Sequence, residues 1–388
     1  MNFTPTEEQL SIRSAVEQIC KDFPDEYWLE KDRNGGFPHD FHKAFADAGW
    51  LGVAMPVEYG GSGLGISEAA IIMETIASTG AGLSGASSVH FNIFGLHPVV
   101  VFGSPEQKAR WLPPLISGQH KACFAVTEPN TGLNTLKLKT TAVRKGDKYI
   151  VNGQKVWIST AQVANKMLLL ARTTPIDQLD KPSGGLSLFF IDLDRTKIEV
   201  KEIDKMGRKA VDSNQVFIDG LEIPVEDRIG EEGRGFEYIL HGINPERVLV
   251  SAEAIGLGRG ALKRATKYAN ERVVFDRPIG QNQSIQHPLA QRWIELEAGA
   301  LLYQKAAWLY DNHMPCGAEA NAAKFFCCET GFHACETAVQ THGGMGYAKE
   351  YHVERLFRES MISRLAPVSP QLVLCFIAQK VLGLPKSY

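Results

Sequence analysis

Four segments of this 388-residue chain concentrate residue types that could do chemistry. They are Cys123-Phe124-Ala125-Val126-Thr127-Glu128-Pro129-Asn130-Thr131-Gly132, Asn152-Gly153-Gln154-Lys155-Val156-Trp157-Ile158-Ser159, Arg272-Val273-Val274-Phe275-Asp276-Arg277-Pro278-Ile279 with Gln283, and Gln340-Thr341-His342-Gly343-Gly344-Met345-Gly346-Tyr347. Glycines permit close backbone approach, a tryptophan offers an apolar wall, and an arginine supplies a cation for an anionic group. Taken singly, Trp157 reads as core packing and Arg272 as a solvated surface residue. Their order and company give them another meaning.

Other chemistries find no support. The 11 histidines are scattered without a His-Glu-x-x-His pattern. Seven cysteines include no Cys-x-x-Cys pair, and the adjacent Cys327 and Cys328 are badly spaced for a tetrahedral metal, so they read as buried thiols. Gly256-Leu257-Gly258-Arg259-Gly260 has the wrong spacing for a dinucleotide loop and follows no strand; a small-residue helix face is the better reading. No phosphate-binding Gly-x-x-x-x-Gly-Lys loop and no Gly-x-Ser-x-Gly elbow occurs.

The elements that must position these segments fall into three regions. The length suggests two or three domains, and 44% hydrophobic with 22% charged residues is a globular composition. Residues 1–120 read as helical: Thr4-Pro5-Thr6-Glu7 offers a cap, Leu10, Ile12, Val16 and Ile19 recur at helical spacing, and Glu68–Ile76 (with Ser67 as cap) and Val99–Leu112 follow. Residues 121–230 change period, with turn signals at Lys145-Gly146-Asp147 and Asn152-Gly153 between short β-like runs, which suggests a barrel or sandwich. Residues 231–388 return to helices over Val248–Ala269, Leu289–Asp311, Ala318–Thr341 and Leu372–Val381, a bundle pattern. A net charge of -3 leaves no footprint for nucleic acid. The polar, acidic N-terminus, the lack of a ~20-residue apolar span and the unremarkable C-terminus give no membrane role, and a cytoplasmic location is expected.

In order and spacing the four segments closely resemble the acyl-CoA dehydrogenase family, over essentially the whole chain. The resemblance implies a multi-domain α+β protein: an N-terminal α-helical domain, a middle β-barrel domain and a C-terminal four-helix bundle. It also implies FAD shared at a subunit interface of a homodimer or homotetramer. By motif match Phe124, Val126 and Thr127 line the flavin, Gly132 approaches its pyrophosphate, Trp157 packs on the ring and Ser159 bonds near its reactive nitrogen. Arg272, Phe275, Gln283, Gln340, Gly343 and Gly344 match positions holding the cofactor of the neighbouring protomer, and Ser369 and Gln371 complete the set. No metal is implied.

The implied reaction removes an α-proton from an acyl thioester as a β-hydride passes to flavin, which needs a positioned carboxylate. Most of the family place this glutamate shortly after the Arg-Asp of the fourth motif; counted from Arg358, that position is Pro367. The isovaleryl- and long-chain acyl-CoA dehydrogenases instead carry it directly before an arginine, and Asn244-Pro245-Glu246-Arg247 matches, so Glu246 is the expected base. Pro245 suits a first helical turn, which would set Glu246 in the field of a helix N-terminus. Asn244 and Arg247 are expected at the substrate, Arg247 as a positioning group. Pro367 lacks the N–H that polarises the thioester elsewhere in the family, and Leu133 and Asn134 replace a usual serine and aspartate. The expected partners are an acyl-CoA, or an acyl-carrier-protein thioester, and an electron-transfer flavoprotein. The same fold with oxidase or redox-neutral chemistry, or as a non-catalytic flavin-containing binding protein, is the alternative.

Overall fold

Helices come first. The computed structural model describes residues 4–94 and 96–387, beginning with α1 (Glu7–Lys21), α2 (Asp25–Asn34), α3 (His39–Asp47), α4 (Ile66–Ser78), α5 (Gly82–Ile93), α6 (His97–Phe102) and α7 (Pro105–Ile116). Thr6 starts α1 reciprocally: its Oγ1 accepts from the Gln9 N–H (3.1 Å) while Gln9 Oε1 accepts from the Thr6 N–H (3.2 Å). Two expectations change. The helix expected over Val99–Leu112 is broken, because Ser104 caps α7 and Pro105 has no N–H to extend α6. Ser67 is not the cap of α4. Gly65 is, and the distant Asp311 carboxylate accepts from the Ile66 N–H (2.8 Å), the Ser67 N–H (2.9 Å) and the Ser67 hydroxyl (2.6 Å).

The middle of the chain forms β1 (Ala122–Ala125), β2 (Thr141–Lys145), β3 (Lys148–Ser159), β4 (Lys166–Arg172), β5 (Leu186–Asp192), β6 (Ile198–Glu202), β7 (Ser213–Pro224) and β8 (Arg228–Ile229). They join in one sheet of order β6-β7-β3-β2-β4-β5-β8, with β1 parallel to β4. The expected barrel does not close: among the described residues no ladder joins β6 to β8. The alternation along β4 shows why. Met167, Leu169 and Ala171 face a core inside the sheet, whereas Leu168 and Leu170 face Trp111, Leu112 and Leu115 of α7. Both faces of β4 and β5 are thus buried, one of them by helices, and the sheet need not close on itself. Asn152-Gly153 is not a turn either. β3 runs through it with a bulge, and a Cβ on Gly153 would lie 2.4 Å from Thr140 Oγ1.

Beyond the sheet come α8 (Gly235–Glu271), a small hairpin of β9 (Val273–Val274) and β10 (Arg277–Pro278), α9 (Gln283–Asp311), α10 (Gly317–His342), α11 (Val353–Leu365) and α12 (Pro370–Phe376). Helices α8 to α11 pack together as the bundle, and α4 packs along α8. That last contact uses the glycine stripe: a Cβ on Gly256 would sit 2.1 Å from the Glu74 carbonyl oxygen, and one on Gly260 2.7 Å from that of Ser78. The small-residue face is therefore a packing device, as its sequence suggested. Among the described residues no single helix is long and apolar enough to cross a membrane.

Inside the sheet, the fully buried Lys155 ammonium donates to Glu128 Oε1 (3.0 Å), the Val126 carbonyl (3.1 Å) and the Leu170 carbonyl (2.8 Å). Glu128 also accepts from the backbone N–H groups of Lys139 (2.6 Å) and Thr140 (2.9 Å). Burial works against the Lys155 charge and brings its pKa down to about 8, with Glu128 opposing the fall. Removing one member of such a pair strands the other charge. Lys155→Met is expected to cost about 3 kcal/mol or more, read as a lowered midpoint in thermal or urea unfolding.

Candidate active site

Glu246 and Glu253 lie seven residues apart on α8, two helical turns, and so share one face. His90 of α5 stands between them. Its Nε2 is 2.8 Å from Glu246 Oε2 and its Nδ1 is 2.6 Å from Glu253 Oε1. A carboxylate oxygen at hydrogen-bond distance from each ring nitrogen requires a hydrogen in both gaps, so this three-group chain holds one proton more than a neutral imidazole and two carboxylates would. Burial disfavours the imidazolium, but the flanking carboxylates outweigh it and raise the His90 pKa well above the ordinary histidine value. The Glu246 side chain is 25% exposed, against 7% for His90 and 7% for Glu253, so Glu246 is the end that reaches outward. Among the described residues its Oε1 accepts no hydrogen bond.

The local setting differs from the expected one. Pro245 lies within α8, which begins at Gly235, so Glu246 is well inside the helix and beyond the reach of its N-terminal dipole. The charge that acts on Glu246 is His90. Neither His90 nor Glu253 was found by motif. The one available signal is the seven-residue spacing that puts two glutamates on one face of the helix.

Arg208 is a third residue that sequence reasoning missed. It sits in the β6–β7 connection in a left-handed conformation (φ 58°). Its Nη1 donates to Ser87 Oγ (2.9 Å) on α5 and its Nη2 to Ser159 Oγ (3.2 Å) at the end of β3. Burial lowers its pKa, while Glu253, Glu359 and Asp212 oppose the fall. Ser159 is thus held from the protein side next to the His90 network.

The first two motifs meet directly. The Val156 N–H donates to the Thr127 carbonyl (3.0 Å), and Lys155 reaches the Val126 carbonyl. Phe124 lies on β1, Val126 is buried, and Trp157 is 58% exposed despite its size, in a left-handed conformation (φ 62°). Beside exposed Gly132, the buried Thr131 hydroxyl has no partner among the described residues. The third and fourth motifs lie elsewhere. Arg272 follows α8, Phe275 is 94% exposed at the tip of the β9–β10 hairpin, Gln283 begins α9, and Gln340 is exposed at the end of α10. Gly343 and Gly344 follow with open space where a Cβ would stand. Ser369 caps α12, accepting from the Leu372 N–H (3.4 Å), and Gln371 is exposed on that helix. Among the described residues no hydrogen bond links these two sets within one chain.

Next to the glutamate, Arg247 Nη1 donates to Asn244 Oδ1 (3.0 Å), and burial lowers the Arg247 pKa to about 10. Pro367, as expected, offers no N–H and is exposed. An exposed indole, an exposed phenyl ring, open glycines, an orphaned hydroxyl and an exposed arginine are the features that a large planar, anionic cofactor would use.

Three family models cover this architecture in order: acyl-CoA dehydrogenase N-terminal domain over residues 6–119, middle domain over 123–221 and C-terminal domain over 233–367. The chain belongs to the acyl-CoA dehydrogenase family. It is 37% identical to acyl-CoA dehydrogenase FadE12 of Mycobacterium tuberculosis (strain ATCC 25618 / H37Rv), across 100% of this chain and 99% of that one. It is 34% identical to caffeyl-CoA reductase-Etf complex subunit CarC of Acetobacterium woodii, across 92% of this chain and 93% of that one. The solved FAD complex of PigA superposes with a TM-score of 0.93 at 25% identity, covering 98% of this chain and 99% of that one.

The raised His90 pKa has a consequence for stability. A proton bound more tightly in the folded state stabilises it fully below the ordinary histidine value, and that contribution fades as pH rises through the raised value. The gap in thermal midpoint between wild type and His90→Gln is therefore expected to be widest near pH 6 and to narrow toward alkaline pH. A gap that widens with pH would contradict the bridge.

Proposed function

We propose that the chain is an FAD-dependent acyl-CoA dehydrogenase that uses Glu246 as its base. The observation that carries this reading is the geometry of Glu246: one carboxylate oxygen tied to a buried histidine, the other unengaged, at the outward end of the network. In that arrangement Oε1 takes the α-proton of an acyl thioester, and the C–H electron pair remains on the substrate as an enolate. His90 keeps Oε2 in place, so the carboxylate does not have to be ordered during the reaction. Asn244 and Arg247, on the same helix, are the proposed substrate-binding residues, Arg247 as a positioning group held by Asn244.

FAD, when bound, supplies the acceptor for the β-hydride. Phe124, Val126, Thr127, Gly132, Trp157 and Ser159 would hold it from one protomer. Arg272, Phe275, Gln283, Gln340, Gly343, Gly344, Ser369 and Gln371 would hold the cofactor from a second copy, which suits their exposure and their separation from the first set. A homodimer or homotetramer follows from this division. The fit rests on the exposed Trp157 and Phe275 and the unpartnered Thr131 hydroxyl. Since Pro367 has no N–H, the thioester carbonyl must take its hydrogen bonds from other groups, and such donors contribute on the order of 3 kcal/mol to barrier lowering.

We further read residues 1–120, 121–230 and 231–388 as the domains; residue 230 lies between β8 and α8. An electron-transfer flavoprotein is the proposed acceptor, supported by the likeness to CarC. Seven free cysteines, six of them buried, suit the reducing cytoplasm.

Anaerobic titration of the flavin-loaded protein with a panel of acyl-CoAs tests the reading. Loss of oxidised-flavin absorbance with one acyl class is the expected result, and no bleaching across the panel would count against it. Glu246→Gln is expected to retain FAD while its rate of flavin reduction falls about 10³-fold, within the range for losing a general base.

A further inference from the structure

The network around Glu246 extends further than a base needs. Glu253 does not reach outward: its side chain is 7% exposed and its Oε1 is engaged by His90 Nδ1. Burying a second carboxylate without purpose is costly. We propose that Glu253 is a positioning residue which, through His90, stores a proton between the two carboxylates and so fixes both the charge and the aim of Glu246. This rests on the reading of Glu246 as the base.

The charge balance gives the reason. With an imidazolium between two carboxylates, the three groups carry a net charge of minus one. When Glu246 takes the α-proton, an O–H bond forms as the C–H bond breaks, and the buried group becomes neutral overall. Without the Glu253 charge the same step would begin neutral and end as an uncompensated buried cation, so His90 would shed its proton instead. Glu246 would then face a neutral ring and lose the neighbouring cation that favours its charged form.

The surroundings are consistent with this state. From α8 come Glu246 and Glu253 themselves. The β6–β7 connection brings Arg208, close enough to Glu253 to feel its charge and backed by Asp212. From α10, Cys328 faces Glu253 as a neutral thiol, its pKa pushed up to about 12 by burial. Glu359 of α11 is engaged by Arg355, the Leu83 N–H and Ser84, leaving it no role at His90. Phe91 on α5 and Phe94 just beyond it place their rings 5.9 and 6.5 Å from the imidazole and contribute no charge.

Histidine nitrogen NMR on the FAD-bound protein tests the proposal, with the His90 signal identified by its loss in His90→Gln. In the wild type His90 should remain an imidazolium from about pH 5.5 to 8, across the range where ordinary histidines titrate. Glu253→Gln keeps an acceptor for Nδ1–H but removes the charge, so His90 should titrate within that range. In the same variant the rate of flavin reduction should acquire a pH dependence across the range in which His90 titrates, one that the wild type lacks. An ordinary titration of His90 in the wild type would overturn the proposal, and this holds even if Glu253→Gln fails to fold. So would an unchanged spectrum and pH profile in Glu253→Gln. Retained flavin reduction in Glu246→Gln would overturn the base assignment and the positioning role with it, an outcome that the His90 spectrum does not imitate.

Discussion

Two carboxylates on one face of a helix, one buried and one partly exposed, repel each other and lose hydration, and a cation between Glu246 and Glu253 offsets both costs. His90 is that cation, and it comes from α5, a helix of the N-terminal region. The requirement therefore fixes how the two helical regions meet. The glycine stripe of α8 brings α4 close enough for α5 to reach, since side chains at Gly256 or Gly260 would collide with α4 carbonyls. Asp311 then anchors the start of α4 from the end of α9. Packing and electrostatics demand the same arrangement.

A second buried charge organises the sheet. Lys155 and Glu128 belong to different motifs, and their ion pair, together with the carbonyls of Val126 and Leu170, holds the turn after β1 against β3 and β4. Lys155 points into the sheet, while farther along the strand Trp157 is exposed and Ser159 is buried at the strand end. Arg208 completes the link by joining Ser159 to Ser87, one turn before His90 on α5. Ser159, proposed to face a flavin, is thus tied through Arg208 to α5, the helix that carries His90.

The same arrangement suits the proposed role of Glu246 as base in a chain that has Pro367 where the family resemblance leads one to expect the glutamate. A carboxylate on a loop needs local order from its backbone. A carboxylate on a long helix, tied at one oxygen to a buried ring, is ordered by tertiary contact, and the loop at Pro367 is freed from that task.

The sequence by itself determined the succession of helices, strands and helices, because periodicity changes at about residues 120 and 230 follow from which faces must be buried. It also singled out the motif residues and Glu246 as candidates, because their neighbours along the chain are distinctive. It misjudged features that depend on partners far away in sequence. Asn152-Gly153 carries a turn signature, yet β7 pairs across it and keeps it in a strand. Ser67 has a capping side chain, but Asp311 provides the cap. Pro245 looks like a helix start, yet α8 extends ten residues before it, from Gly235, because those turns pack on the sheet and α6. Only the tertiary structure decided that the sheet stays open, that the exposed motif residues stand apart, and that His90 meets Glu246 and Glu253 while Arg208 meets Ser159. The physical reason is the same each time: a charge or an unpaired backbone group is settled by whatever partner the fold brings to it, and local sequence does not record that partner.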